Sequence, residues 1–350
     1  MPDTEQQLLA LTEEAAVLVR GGRAVYANAA ARGILGEDCV GKRVAALFGQ
    51  VVAGVQASAF LAQICLRERP YLLRIARLEQ GQVFFLRPQE ELPAVLNAPF
   101  LYALRSSLMN LDLAAEQLRA CAEQQGSAAL LENLRSVARS EYQILRLLNN
   151  ASLILDLAQG KAVFSPRTVS LGGLCASLLD ALAPMLPRIR FVARREDDVP
   201  VSADPALVKA LLMNLLSNAI RHGKGCTQIS VSLMSSARNL VLAVHDDGCG
   251  IPPEELPLVF DRYRHDFQLS QMSAGPGLGL TAARLIAQLH GGTLLLESRP
   301  GQGTTLRVSL QRGGEKLAAP GEPESWDSRE LLTGLADCLP ASCFGEQFLD

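Results

Sequence analysis

Asp204-Pro-Ala-Leu-Val-Lys-Ala-Leu-Leu-Met-Asn214-Leu-Leu-Ser-Asn218-Ala-Ile-Arg221-His222 reads as a single helix. Asn214, Asn218 and Arg221–His222 recur at i, i+4 and i+7/8, so they share one face and interrupt an otherwise apolar surface. A buried amide is costly without a partner. Polar side chains at this spacing point to a ligand or a metal ion against that face.

Three further segments follow at intervals. Val244-His245-Asp246-Asp247-Gly248-Cys249-Gly250-Ile251-Pro252 comes after a strand at Leu240–Val244 and sets a carboxylate beside a glycine loop. Val259-Phe260-Asp261-Arg262-Tyr263-Arg264 leads into a polar stretch ending at Gly275. Gly275-Pro276-Gly277-Leu278-Gly279-Leu280 opens a helix over Thr281–Leu289. Glycines let the backbone approach a phosphate, and the N-terminus of the next helix favours its negative charge. A glycine turn before a helix is weak evidence alone; four such segments in this order are strong evidence.

In order and spacing these segments resemble the N, G1, F and G2 boxes of the histidine-kinase catalytic domain, in the ATPase superfamily shared with gyrase, Hsp90 and MutL. Gly291-Gly292-Thr293 and Gly301-Gln302-Gly303-Thr304-Thr305-Leu306 are similar to the closing motifs of the histidine-kinase branch. The resemblance covers about residues 165–312. It implies an α/β sandwich of the GHKL (Bergerat) type, with ATP and Mg²⁺ as cofactors. By matching position, Asn218 would coordinate Mg²⁺ with Asn214 supporting the same face, Arg221 would reach the phosphates and His222 would sit against the nucleotide. Asp246 would accept a hydrogen bond from the adenine amino group, Gly248 and Gly250 would shape that loop, and Thr305 would lie near the base. Gly275, Gly277, Leu278 and Gly279 would cradle the phosphates. Arg262 and Arg264 read equally well as lid residues at the nucleotide and as solvated surface arginines.

The preceding segment breaks the expected pattern. Leu101, Leu104, Leu108, Leu111, Ala115 and Leu118 step by 3, 4, 3, 4, 3, a heptad seam. Gln124-Gln125-Gly126-Ser127 interrupts it, and a second helix carries Leu130, Leu134, Val137, Leu145, Leu148 and Leu155. Two such helices form a hairpin with a wide apolar face, which pairing across a two-fold axis into a four-helix bundle would cover. In the family this hairpin holds the phosphoacceptor histidine. Here His222, His245, His265 and His290 are the four histidines of the chain, and residues 1–221 contain none. Leu104, Arg105 and Leu108 keep the register of the box, so Tyr102 stands in the histidine's place, Ala103 replaces the acid and Ser107 the proline. A phenol without a neighbouring base is a poor nucleophile. A tyrosine phosphoester would also lack the labile P–N bond that eases transfer to a regulator aspartate. Tyr102 therefore reads either as an aromatic packed on the rim of the bundle or as a degenerate acceptor, with Ser106 and Ser107 as weaker alternatives.

Upstream, strands at Ala16–Arg20 and Ala24–Tyr26 flank a Gly21–Gly22 turn. Short helices follow, then strands at Tyr71–Leu78 and Gln82–Arg87. The run from Gly22 to Asn28, with Gly36 and Gly41–Lys42, resembles the start of a PAS sensor domain. The expected organisation is multidomain: an α+β PAS-like domain (1–92), a helical dimerisation hairpin (93–160), an ATP-binding domain (161–313), and a linker with a short helix (314–350). That last helix has an Asp327-x-x-Glu330 capping pattern and either docks on the catalytic domain or binds a partner.

The 350 residues are 49% hydrophobic and 20% charged with a net charge of -3, which leaves no basic footprint for nucleic acid. No stretch is long and apolar enough to span a membrane, and the acidic N-terminus lacks the pattern of a signal peptide. The eight scattered cysteines then read as reduced thiols of a cytosolic protein. The expected function is that of a sensor-histidine-kinase homologue in two-component signalling, a homodimer or a heterodimer with another kinase, with a response regulator as partner. It would bind Mg·ATP and signal without histidine autophosphorylation. The alternatives are a working kinase that phosphorylates Tyr102, a serine or a partner protein, and a gyrase-like ATPase, against which the hairpin argues.

Overall fold

Among the described residues, seven strands and three helices carry the ATPase-like half of the chain in the computed structural model. The structure describes residues 4–49, 52, 59–66, 69–78, 81–88, 98–195, 200–235, 239–252, 255–256, 278–313 and 325–344. The N-terminal half has α1 (Thr4–Ala10), β1 (Ala15–Arg20), β2 (Arg23–Ala27), α2 (Ala29–Leu35), α3 (Val44–Phe48), β3 (Ala59–Leu66), β4 (Arg69–Leu78) and β5 (Gly81–Pro88). Its strands pair in the order β2-β1-β5-β4-β3, all antiparallel. Val17, Ile64, Leu73 and Phe84 fill its core, where the Phe48 and Phe84 rings stack at 5.2 Å. Asn28 ties the helical segment to the sheet: its Oδ1 accepts from the Ala31 amide as the cap of α2 and from the Ala16 amide of β1, both at 3.0 Å.

The hairpin follows as α4 (Ala98–Gln124) and α5 (Ala128–Ala158), broken where Gly126 takes a φ of 64°. Leu101, Leu108, Ala115 and Ala122, seven residues apart, are buried, whereas Leu104, Leu111 and Leu118 are exposed. One partner helix covers only one flank of a heptad seam, so α5 takes the first set and leaves the second open.

The next layer contains β6 (Arg167–Ser170), α6 (Leu171–Leu182), β7 (Arg190–Arg195), β8 (Pro200–Ala203), α7 (Pro205–His222), β9 (Gln228–Ser235) and β10 (Asn239–Asp246). It is completed by α8 (Leu278–Leu289), β11 (Leu294–Arg299) and β12 (Gly303–Gln311). The strands run in the order β11-β12-β10-β9-β7, with β7 parallel to β9 and the other pairs antiparallel. Leu178 of α6, Leu211 and Leu215 of α7, and Ile286 of α8 share one core with Val231, Leu242 and Val308 of the sheet.

One feature lies outside the sequence reading, and a second decides between alternatives that the sequence leaves open. The sequence suggests no strand at Ala59–Leu66, yet β3 pairs antiparallel with β11 and joins both sheets into ten strands. Successive side chains of β11 point to opposite faces, so Leu294 and Leu296 enter the ATPase core while Leu295 enters the N-terminal core. The C-terminal segment, with α9 (Ser328–Gly334), docks on the molecule. Asp327 and Glu330 form the expected capping box, and Leu332, Leu335, Leu339 and Phe344 are fully buried. Among the described residues no helix is long and apolar enough to cross a membrane.

Candidate nucleotide site

The site is built on α7. Asp204 caps it, its carboxylate accepting from the Ala206 and Leu207 amides at 3.0 and 3.3 Å, and Pro205 occupies the first turn, where its missing N–H costs nothing. The apolar residues of α7 face the sheet, and the polar face turns to a cavity of about 310 Å³, within the usual range of small-molecule pockets. Asn218, Arg221, His222, Asp246, Leu278 and Gly279 all line this cavity, so the structure brings together six residues that the sequence had singled out.

The Nδ2 of Asn218 is buried without a hydrogen-bond partner among the described residues. A buried unpaired donor costs roughly 1–3 kcal/mol, and a phosphate oxygen is the kind of acceptor that would satisfy it. The cavity and this open amide fit a nucleotide. For Mg²⁺ the donor set is sparse, since no group of three His, Cys, Asp or Glu side chains suited to a metal occurs among the described residues. Mg²⁺ at nucleotide sites is typically held by one or two protein oxygens plus phosphates, which Asn218 could meet.

Several expected residues sit elsewhere. Asn214 pairs with Asn150 of α5 in a reciprocal amide contact, 3.1 and 3.2 Å, and also donates to the Ala210 carbonyl. Its polar group is satisfied by the hairpin, not by a ligand; helical spacing names the face but not the element that covers it. Gly279 explains how close α8 comes to α7, for a Cβ there would lie 2.9 Å from the Asn214 Oδ1. Thr305 is also corrected. It pairs with His245 at 3.0 Å on the far face of the sheet, while Thr304 lines the cavity, because neighbouring residues of a strand face opposite ways. The helix begins at Leu278, three residues before the expected start. Gly275, Gly277, Arg262 and Arg264 lie outside the described residues.

The two adjacent acids of the glycine loop have different environments. Asp246 is buried on the cavity wall; burial pushes its carboxyl above the ordinary range, opposed by the Gly248 amide, His245 and the Thr304 amide. Gly248 donates to its Oδ1 at 3.1 Å, which fixes the carboxylate's direction. Gly250 reverses the chain at a φ of 68° where a Cβ would lie 2.0 Å from the Arg299 carbonyl oxygen, so glycine is required there. Both glycines act behind the wall rather than on it. Asp247 turns outward. Desolvation raises its carboxyl, but the Thr227 hydroxyl, the Gln228 amide, the Cys226 thiol and the Thr227 amide outweigh it and hold the group far below the usual carboxylate range. Burial, and after it the same contact with Asp247, pushes the Cys226 thiol up to about 12.

Asp247 is thus a brace between the β9 start and the loop, and Asp247→Ala should lower stability by roughly 1 kcal/mol, the bonds being screened by solvent. A depressed folded value contributes stability above the unfolded value of about 4, and loses it as pH falls through the folded one. Urea unfolding should therefore show a constant difference between wild type and variant from pH 7 to pH 5 that shrinks only in stronger acid. A difference that widened on acidification would remove Asp247 from this role.

Among the cavity residues that the sequence does not single out are Arg146 and Asn150 from the hairpin and Asp337 from the C-terminal segment. The Asp337 carboxylate lies 2.6 Å from Arg146 and 3.4 Å from Arg221. Burial pulls the Arg146 guanidinium down and Asp337 counteracts it. No local pattern links them to the site, since Asn150 stands 64 positions from Asn214, and Asp337 stands 116 positions from Arg221 and 191 from Arg146.

Comparison with known proteins agrees with this geometry. Residues 203–314 match the profile of the histidine kinase-, DNA gyrase B- and HSP90-like ATPase family. The chain is 32% identical over 188 residues to the sensor histidine kinase YkoH of Bacillus subtilis, covering 53% of this chain and 41% of that protein. It is 38% identical over 113 residues to the histidine protein kinase DivJ of Caulobacter vibrioides, covering 32% of this chain and 19% of that protein. The crystal structure of full-length ShkA in complex with AMPPNP superposes with a TM-score of 0.52 at 18% identity, over 64% of this chain and 47% of that one. Residues 203–314 are thus a GHKL-type ATPase domain, and over about half its length the chain is homologous to sensor histidine kinases. It spans less than half the length of these curated relatives.

Proposed function

We propose that the chain is a dimeric sensor-kinase homologue that binds Mg·ATP in two-component signalling and signals through nucleotide-gated conformation and docking, without histidine autophosphorylation. One observation carries the reading: residues 203–314 match an ATPase domain, with an open amide on the cavity wall, while no histidine precedes residue 222. Asn218 would hold Mg²⁺ together with phosphate oxygens, Asp246 would select adenine, and the described end of the phosphate loop, Leu278–Gly279, would approach the phosphates. The strand order β2-β1-β5-β4-β3, with helices between β2 and β3, supports a PAS-like input domain at the N-terminus. A response regulator would be the docking partner. Incubation with γ-labelled ATP tests the reading, as argued in the Discussion.

A second reading has its own support. Tyr102 is 76% exposed on α4 and is not packed on the hairpin, so it is accessible as an acceptor for a kinase reaction at its hydroxyl.

For the dimer, the support is the open half of the seam: Leu104, Leu111 and Leu118 are exposed apolar residues along one face of a long helix. Leu111→Glu should yield a folded monomer by light scattering and circular dichroism. Leu108→Glu should also disrupt the hairpin itself, because Leu108 packs with Leu148 and Ile154 inside one chain. A wild type that is monomeric at micromolar concentration would remove the four-helix bundle.

A further inference from the structure

We infer that the C-terminal strap, residues 325–344, is a built-in occupant of the nucleotide site, its Asp337 carboxylate competing with nucleotide phosphates for Arg221. The inference rests on the ATP-binding reading and adds to it a residue that sets affinity according to phosphate charge.

The strap is held on both sides. On the ATPase domain, Trp326 Nε1 donates to the Leu174 carbonyl at 3.1 Å, Lys209 bonds Glu330 and the Ser325 carbonyl, and Cys338 meets Ser217 at 3.3 Å. On the hairpin, Arg139 and Gln143 of α5 donate to strap carbonyls, and the Tyr142 and Phe344 rings meet at 5.5 Å. Leu332, Leu335 and Leu339 belong to the ATPase core itself, so the segment is a docked element and not a loose tail. A Cβ at Gly334 would lie 2.7 Å from the Met213 side chain, which measures how closely the strap lies on α7.

This anchoring delivers Asp337 to the cavity lined by Asn218, Arg221 and Asp246. Its carboxylate lies at 2.6 Å from Arg146 and at the longer 3.4 Å from Arg221. Asp337 therefore holds Arg221 less closely than Arg146, and Arg221 belongs to the helix face expected to meet the phosphates. An anionic polyphosphate reaching Arg221 meets a fixed negative charge beside it. The tethered carboxylate has a high effective concentration, so free nucleotide must outcompete it or endure the repulsion. Because Asp337 also grips Arg146, loss of its hold on Arg221 would loosen the hairpin from the ATPase domain, which couples nucleotide to the position of α5.

Calorimetric titration of the full-length wild type and Asp337→Asn with ATP, ADP and adenosine, all with Mg²⁺, tests this. The variant should bind ATP about tenfold more tightly, equivalent to ~1.4 kcal/mol, ADP with a smaller gain, and adenosine unchanged. Equal ATP affinity in both proteins, or an equal gain for adenosine, would overturn the strap inference and leave the ATP-binding reading standing. No nucleotide binding by either protein would overturn both. Because the substitution leaves Arg146 without its charge partner, hydrogen exchange on the wild type provides an independent measure. Adding Mg·ATP should raise amide exchange across 328–344, whereas unchanged or slower exchange there would overturn the inference.

Discussion

Asp246→Asn is expected to weaken ADP and ATP binding by ten- to a hundredfold, the loss of a hydrogen bond to a charged group worth roughly 1.5–3 kcal/mol, and to abolish any preference over guanine nucleotides. The carboxylate offers only acceptors to the cavity, which suits the adenine amino donor; an amide places a donor there instead. The pH dependence provides a second signature. Burial raises the folded value of Asp246, so ionisation of this group costs stability above its unfolded value, and that cost is relieved as pH falls through the folded one. Binding has the opposite sign: the acceptor form predominates above the raised value, and affinity should fall on acidification at a higher pH than an ordinary aspartate would dictate. Titration with ADP at several pH values should show this slope in the wild type and a flatter profile in Asp246→Asn. An unchanged affinity in the variant would move the adenine site elsewhere.

Wild-type protein given Mg·ATP should form no acid-labile, base-stable phosphohistidine on its hairpin, a complete absence where an active relative would label. Restoring the box with Tyr102→His and Ala103→Glu should bring such labelling back, since Leu104, Arg105 and Leu108 hold the register. The exposure of position 102 leaves it accessible to a catalytic domain. Acid-stable label that maps to Tyr102 in the wild type, and disappears in Tyr102→Phe, would replace the non-catalytic reading with that of a tyrosine-accepting kinase.

Much of the site was legible because its residues lie on two continuous patterns. Asn218 and Arg221 follow from helical spacing on α7, and Asp246 with Gly248 from a strand ending in a glycine loop. Where the reading missed, the reason is local geometry or distance. Thr305 missed the cavity by one residue because strand alternation reverses the face at each step. Asn214 missed because the element opposite it is a hairpin helix carrying Asn150, 64 positions away. β3 was missed because Ala59–Leu66 is a short apolar run that periodicity cannot distinguish from a helix.

The sequence by itself determined the two hairpin helices and their break at Gly126, the helix that carries Asn218, the capped C-terminal helix and the absence of a histidine before His222. Each depends on nearest neighbours: helix period, turn glycines, a side chain that caps its own helix, or the bare identity of a residue. Only the tertiary structure decided that the strap docks, that Asp337 stands between Arg146 and Arg221, and that β3 extends the ATPase sheet through β11. Those contacts join residues 116 to 237 positions apart in the chain. Apolar burial and charge pairing at such separations depend on which surfaces the folded domains present to one another, and no local pattern encodes that choice.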